Sequence, residues 1–145
     1  MPDFFEGSPA DISWYPPDTE EKGKKLGEFF STLAAPPKTV KRVPELVAAI
    51  KKEYTGLESF AVVGYCWGGK IVNLTSQEGT PFKAAAAVHP AMVDPADAPK
   101  VTIPIVVLPS QDEDKEAVTA YEKALKVDNV VEWFPTQVHG WMAAR

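Results

Sequence analysis

At 145 residues, 45% of them hydrophobic and 24% charged, the chain has the size of one domain and enough apolar material to close a core, which excludes wholesale disorder. Its 20 acidic residues against 15 basic ones leave a net charge of −5, unfavourable for binding a nucleic-acid polyanion. No apolar run approaches the roughly 18 residues of a membrane span, and the N-terminus lacks a basic-then-apolar leader. One cysteine and two histidines neither close an internal disulfide nor make a good metal site. The composition thus predicts a single domain over residues 1–145, cytoplasmic and free of metal and cofactor.

The opening Met1–Asp18 carries four prolines, each of which fixes φ and removes a backbone donor, so it reads as irregular chain. Phe4, Phe5, Ile12, Trp14 and Tyr15 are too much apolar surface for a free tail and predict that it packs against something. Leu26, Phe29, Phe30 and Leu33 recur at helical spacing and predict a helix over about Glu20–Leu33, its acidic start suited to the helix dipole and Pro36-Pro37 ending it. A second helix is predicted over Thr39–Tyr54, with Val40, Val43, Val47, Ile50 and Tyr54 on one stripe and Pro44 as a candidate first turn.

Beyond Gly56 the pattern changes to short, fully apolar runs separated by helical stretches. Strands are predicted at Phe60–Gly64, Ala84–Val88, Ile105–Leu108 and Val130–Phe134, helices at Gly68–Gln77 and Asp114–Lys126, and a proline-rich crossover at Pro90–Pro104. Strands alternating with helices predict a mostly parallel sheet with helices on both faces. Four strands make a small sheet whose edge lacks a partner, which raises self-association through that edge as an expectation.

Gly64-Tyr65-Cys66-Trp67-Gly68-Gly69 has the form of a nucleophile elbow with cysteine in the serine position, set between a strand and a helix. The glycines two positions either side of Cys66 suit a turn so sharp that side chains there would collide. The thiol would face a helix N-terminus, which favours thiolate, and the Trp67 N–H would donate to an oxyanion. The plainer reading is a buried structural cysteine in a glycine-rich turn. In the order nucleophile, acid, histidine, the partners would be Asp112, just past the third strand, and His139, just past the fourth. Asp114 is the competing acid, although it is better placed to cap the following helix. His89 breaks the order and reads as site-lining or structural. Trp67, Trp141 and Phe134 could wall a substrate or simply be core, and Lys70 and Arg145 are candidate anchors for a substrate carboxylate.

Together with Met1-Pro2-Asp3-Phe4-Phe5-Glu6-Gly7, Val88-His89-Pro90, Pro109-Ser110-Gln111-Asp112-Glu113 and Val138-His139-Gly140, the Gly64–Lys70 segment resembles the dienelactone hydrolases, above all their fungal-type branch. The resemblance runs over essentially the whole chain and implies an α/β-hydrolase fold that opens enol-lactone rings with a Cys-His-Asp triad. Carried over, the triad falls on Cys66, His139 and Asp112, with Trp67, His89 and Trp141 lining the oxyanion and substrate region. In the family, further strands precede the segment matching Met1–Gly7 and a helix follows the His-Gly turn. The match is therefore to a C-terminal portion, an α/β-hydrolase fold without its N-terminal strands. Two expectations follow: a cysteine hydrolase of small ester or lactone substrates, or a catalytically incompetent fragment or assembly module of the same fold.

Overall fold

The computed structural model describes residues 2–143 and forms two compact units, Met1–Val43 and Pro44–Arg145. In the first, helix α1 (Glu20–Ser31) starts at Thr19, whose hydroxyl accepts from the Lys22 N–H, with Glu20 and Glu21 in its first turn. Both features satisfy or complement the unpaired N–H groups of a helix start. Leu26 and Phe29 are its buried residues. Phe29 gathers the rings of Phe5, at 5.1 Å, and Trp14, at 6.4 Å. The proline-rich opening is thus pinned by its aromatics, with Trp14 on a short 3-10 turn, Ile12–Trp14.

Helix α2 (Pro36–Glu53) corrects the expected boundaries. Pro36 and Pro37 open this helix rather than merely ending the one before, because the first-turn N–H groups have no helical acceptor and proline loses nothing there. Pro44 lies within the helix and marks no first turn; it removes one i→i−4 hydrogen bond.

The second unit holds a four-stranded, fully parallel sheet in the order β1-β2-β3-β4: β1 (Ala61–Tyr65), β2 (Ala84–Val88), β3 (Ile105–Leu108) and β4 (Asn129–Val131). Helix α3 (Trp67–Thr75) crosses from β1 to β2, and α4 (Lys115–Ala124) from β3 to β4. The register aligns Gly64, Ala87 and Val107 in one row, of which all three are buried. This is the face against which α3 packs, since a Cβ on Gly64 would meet Gly68 and Val72, and one on Gly69 would meet Ala87. The neighbouring row, Val63, Ala86, Val106 and Val130, lies on the other face, and its end members are 55% and 54% exposed. The expected cover on both faces is therefore incomplete at the outer strands among the described residues. β1 pairs on one side only, as an edge strand. No helix of the described residues is long and apolar enough to cross a membrane.

Candidate active site

All four strands point the same way, so the loops at their C-terminal ends gather at one edge of the sheet, where open α/β folds build their sites. Cys66 follows β1, His89 follows β2, Asp112 and Glu113 follow β3, and His139 lies on the chain leaving β4.

Cys66 sits between β1 and α3 with φ +51° and ψ −117°, a strained conformation for a side chain with a Cβ. Three backbone hydrogen bonds hold it there. Its N–H donates to Val88 O at 3.2 Å, and its carbonyl accepts from Gly69 N–H at 2.9 Å and Ala91 N–H at 3.0 Å. A Cβ on Gly64 would lie 2.1 Å from the Gly68 carbonyl oxygen, and one on Gly69 would lie 2.8 Å from the Pro90 Cβ. Glycine is thus required before the cysteine, as expected. After it the crowded position is Gly69, whereas Gly68 faces open space.

His139 is held at both its backbone and its ring. Its N–H donates to Asp112 Oδ2 at 2.7 Å, and its Nδ1 lies 2.6 Å from Glu113 Oε1. The other carboxylate oxygen of Glu113 accepts from the Ser110 N–H. Cys66 is the other group that acts on the His139 ring, and with Nδ1 on Glu113 the nitrogen left to face the sulfur is Nε2. Expected to orient the ring, Asp112 instead binds the backbone; the ring's partner is Glu113. The physical reason is burial and reach. Glu113 is 8% exposed and has one more methylene, whereas Asp112 points along the exposed rim. Asp114 caps α4, its Oδ1 accepting from the N–H groups of Glu116 and Ala117. The expected cap thus takes Asp114 out of the choice, and nothing in the sequence separates Glu113 from Asp112.

The electrostatics follow from these contacts. The His139 imidazole is pushed up to about 10, first by Cys66 and then by Glu113, against the opposing effect of burial. Burial pushes the Glu113 carboxyl up, but the hydrogen bonds from His139 and Ser110 outweigh it and hold the group below its ordinary range. An imidazole so placed is charged at neutral pH, bracketed by a carboxylate and a sulfur.

The remaining expected residues divide. Trp67 is the first residue of α3 and half-buried. His89 is 1% exposed, so it does not line a surface open to substrate; its ring lies 4.8 Å from that of His139. Trp141 stacks on Phe134 at 4.4 Å, two residues beyond His139. Lys70 does not serve as a carboxylate anchor, because it is paired with Asp97 at 2.5 Å and largely buried. Arg145 lies outside the described residues. Among the described residues no group of three His, Cys, Asp or Glu side chains could hold a metal ion.

A sequence profile of the dienelactone hydrolase family matches residues 1–145. Two uncharacterized AIM2 family proteins of Schizosaccharomyces pombe are 34% and 31% identical to the chain, over 150 and 153 residues, covering all of it and 60% of each of them. The chain therefore spans about 60% of the length of these relatives. The crystal structure of a Klebsiella pneumoniae protein assigned as a dienelactone hydrolase superposes with a TM-score of 0.69 at 19% identity, over 81% of this chain and 55% of that one. At that identity the likeness concerns the fold.

Proposed function

The chain belongs to the dienelactone hydrolase family, and on that footing we propose that it hydrolyses ester or lactone bonds of small molecules, enol-lactones of the dienelactone type included, with Cys66 as nucleophile, His139 as acid and base, and Glu113 as the carboxylate that orients it. The observation that carries this reading is the His139 ring held by Glu113 at 2.6 Å, on the same sheet edge as a cysteine in the strained turn of an elbow.

In the proposed reaction the reacting state is the one with the proton on His139. The Cys66 sulfur attacks the carbonyl carbon, the new S–C bond forming as the C=O electron pair moves onto oxygen. The Trp67 N–H at the start of α3 donates to that oxygen. As the intermediate collapses, the C–O bond breaks and the leaving oxygen takes the proton from His139; in a lactone this oxygen stays tethered to the acyl group. His139, now neutral, takes a proton from water, whose oxygen attacks the thioester. The C–S bond then breaks, releasing the acid and restoring Cys66. Glu113 stabilises the imidazolium that forms twice in this cycle, and Asp112 fixes the backbone that carries it. No step calls on a metal or an organic cofactor.

The test is turnover of a chromogenic aryl ester by the purified chain, with Cys66→Ala and His139→Gln as controls. Loss of turnover in both variants is expected. Equal turnover in wild type and Cys66→Ala would remove the cysteine from the mechanism.

A further inference from the structure

His89 is buried beside the candidate site and has no part in the chemistry above. It follows β2 directly, with a backbone φ of +35° and its N–H on Leu108 O at 2.9 Å. The segment it belongs to is stitched to the nucleophile on both sides: Val88 O accepts from the Cys66 N–H, and the Ala91 N–H donates to Cys66 O. The His89 ring meets the His139 ring at 4.8 Å and 69°, edge to face, and lies 5.9 Å from the ring of Tyr65, the residue before the cysteine. At 1% exposure it cannot reach a substrate.

We propose that His89 is a positioning residue whose flat ring fixes the plane of the His139 imidazole, so that one nitrogen meets Glu113 while the other meets Cys66. The Glu113 contact alone leaves the imidazole free to swing about the Nδ1 hydrogen bond. A perpendicular ring packed against it removes that freedom, and because His89 is anchored to the same backbone as the cysteine, base and nucleophile share one reference. What this asks of residue 89 is a planar ring of about the right size. The inference rests on the reading of Cys66 and His139 as a working pair.

The experiment measures iodoacetamide alkylation of Cys66 at pH 6 and pH 8.5 in wild type, His89→Phe and His89→Leu. Leu fills the space without a flat ring, and Phe and Leu meet the same strain at positive φ, so that strain cancels between them. The other charged and titratable groups on the elements meeting here are Glu113, Asp112, Tyr65 and the Lys70–Asp97 pair, all left unchanged. A thiol with no imidazolium partner alkylates about 100-fold more slowly at the lower pH, whereas one paired with His139 loses less than about 10-fold. Wild type and His89→Phe are expected to show the small loss and His89→Leu the large one. Near-UV circular dichroism checks folding; should the Leu chain fail it, His89→Asn, which tolerates positive φ, takes its place with the same expectation. A small loss in His89→Leu, or a large loss in His89→Phe, overturns the proposal while leaving the Cys66–His139 pair standing. A large loss in wild type overturns that pair and the role of His89 with it.

Discussion

Asp112, Glu113 and Asp114 are consecutive carboxylates with three different partners, because a tight turn points consecutive side chains in different directions. Asp112 takes the backbone of His139, Glu113 takes its ring, and Asp114 takes the open end of α4. The assignment predicts unequal costs for two nearly isosteric changes. Glu113→Gln removes the charge that stabilises the imidazolium and should slow acylation of Cys66 by an activated ester by up to about 10,000-fold, the size of the loss on the equivalent acid-to-amide change in a serine protease triad. Asp112→Asn keeps an oxygen that can accept from the His139 N–H and should cost no more than about 10-fold. Stopped-flow acylation rates decide the matter, and a larger loss for Asp112→Asn than for Glu113→Gln would return the acid role to Asp112. The candidate residues Cys66 and His139 were legible from residue types, since the elbow string and a histidine after the last strand stand out unaided. The choice among adjacent carboxylates was not, because sequence periodicity says nothing of which way a non-repetitive turn aims each side chain.

The β1–α3 elbow is set by close approach. Gly64 on β1 faces the Gly68 carbonyl, and Gly69, the third residue of α3, faces Pro90, so the helix sits where only missing Cβ atoms let it sit. α3 is further tied by the Lys70–Asp97 pair and by Tyr121, whose hydroxyl donates to Asn73 Oδ1 at 2.8 Å from α4. Burial, with the Asp97 charge adding to it, pushes the Tyr121 phenol far above its ordinary value, so it remains a donor at any working pH. Gly64→Ala should therefore destabilise the chain by about 3 kcal/mol or more, as overpacking against backbone does. Gly68→Ala, which meets nothing within 4 Å, should lie within about 1 kcal/mol of wild type. Urea midpoints check both, and comparable losses would mean that the elbow is not packed as described. β2 and β3 were legible because buried parallel strands are short and wholly apolar, and they begin and end where their runs do. β1 (Ala61–Tyr65) lies one residue later than expected, and β4 (Asn129–Val131) stops short of the expected Phe134. α2 was misjudged at its start because a proline pair serves equally to stop one helix and to begin another, and only tertiary context separates the two.

Across the whole molecule, the Glu113–His139 contact makes stability depend on pH. To isolate it, the sulfur is removed in a Cys66→Ala chain, where Glu113 still holds His139 above its unfolded value near 6.5. A raised folded value contributes stability that is full below pH about 6.5 and is lost as the pH climbs through the folded value. Glu113, held below its ordinary 4.5, contributes stability that is present above that value and lost as the pH falls through the folded one. The contact should thus stabilise most between pH about 4.5 and 6.5 and weaken on both sides. Thermal unfolding of Cys66→Ala should show that decline on the alkaline side, and adding Glu113→Gln should flatten it. In wild type, NMR titration of the His139 ring should place its midpoint near 10, falling in Cys66→Ala because the sulfur is the largest cause of the rise.

The central claim is that Cys66 carries the acyl group. The most direct measurement is peptide mass spectrometry of the chain quenched within one turnover of an activated aryl ester, with His139→Gln included to slow release of the intermediate. The account predicts an acyl adduct on the peptide containing Cys66 and none at that peptide in Cys66→Ala. An adduct borne by another residue, or ester cleavage that continues undiminished in Cys66→Ala, would contradict it.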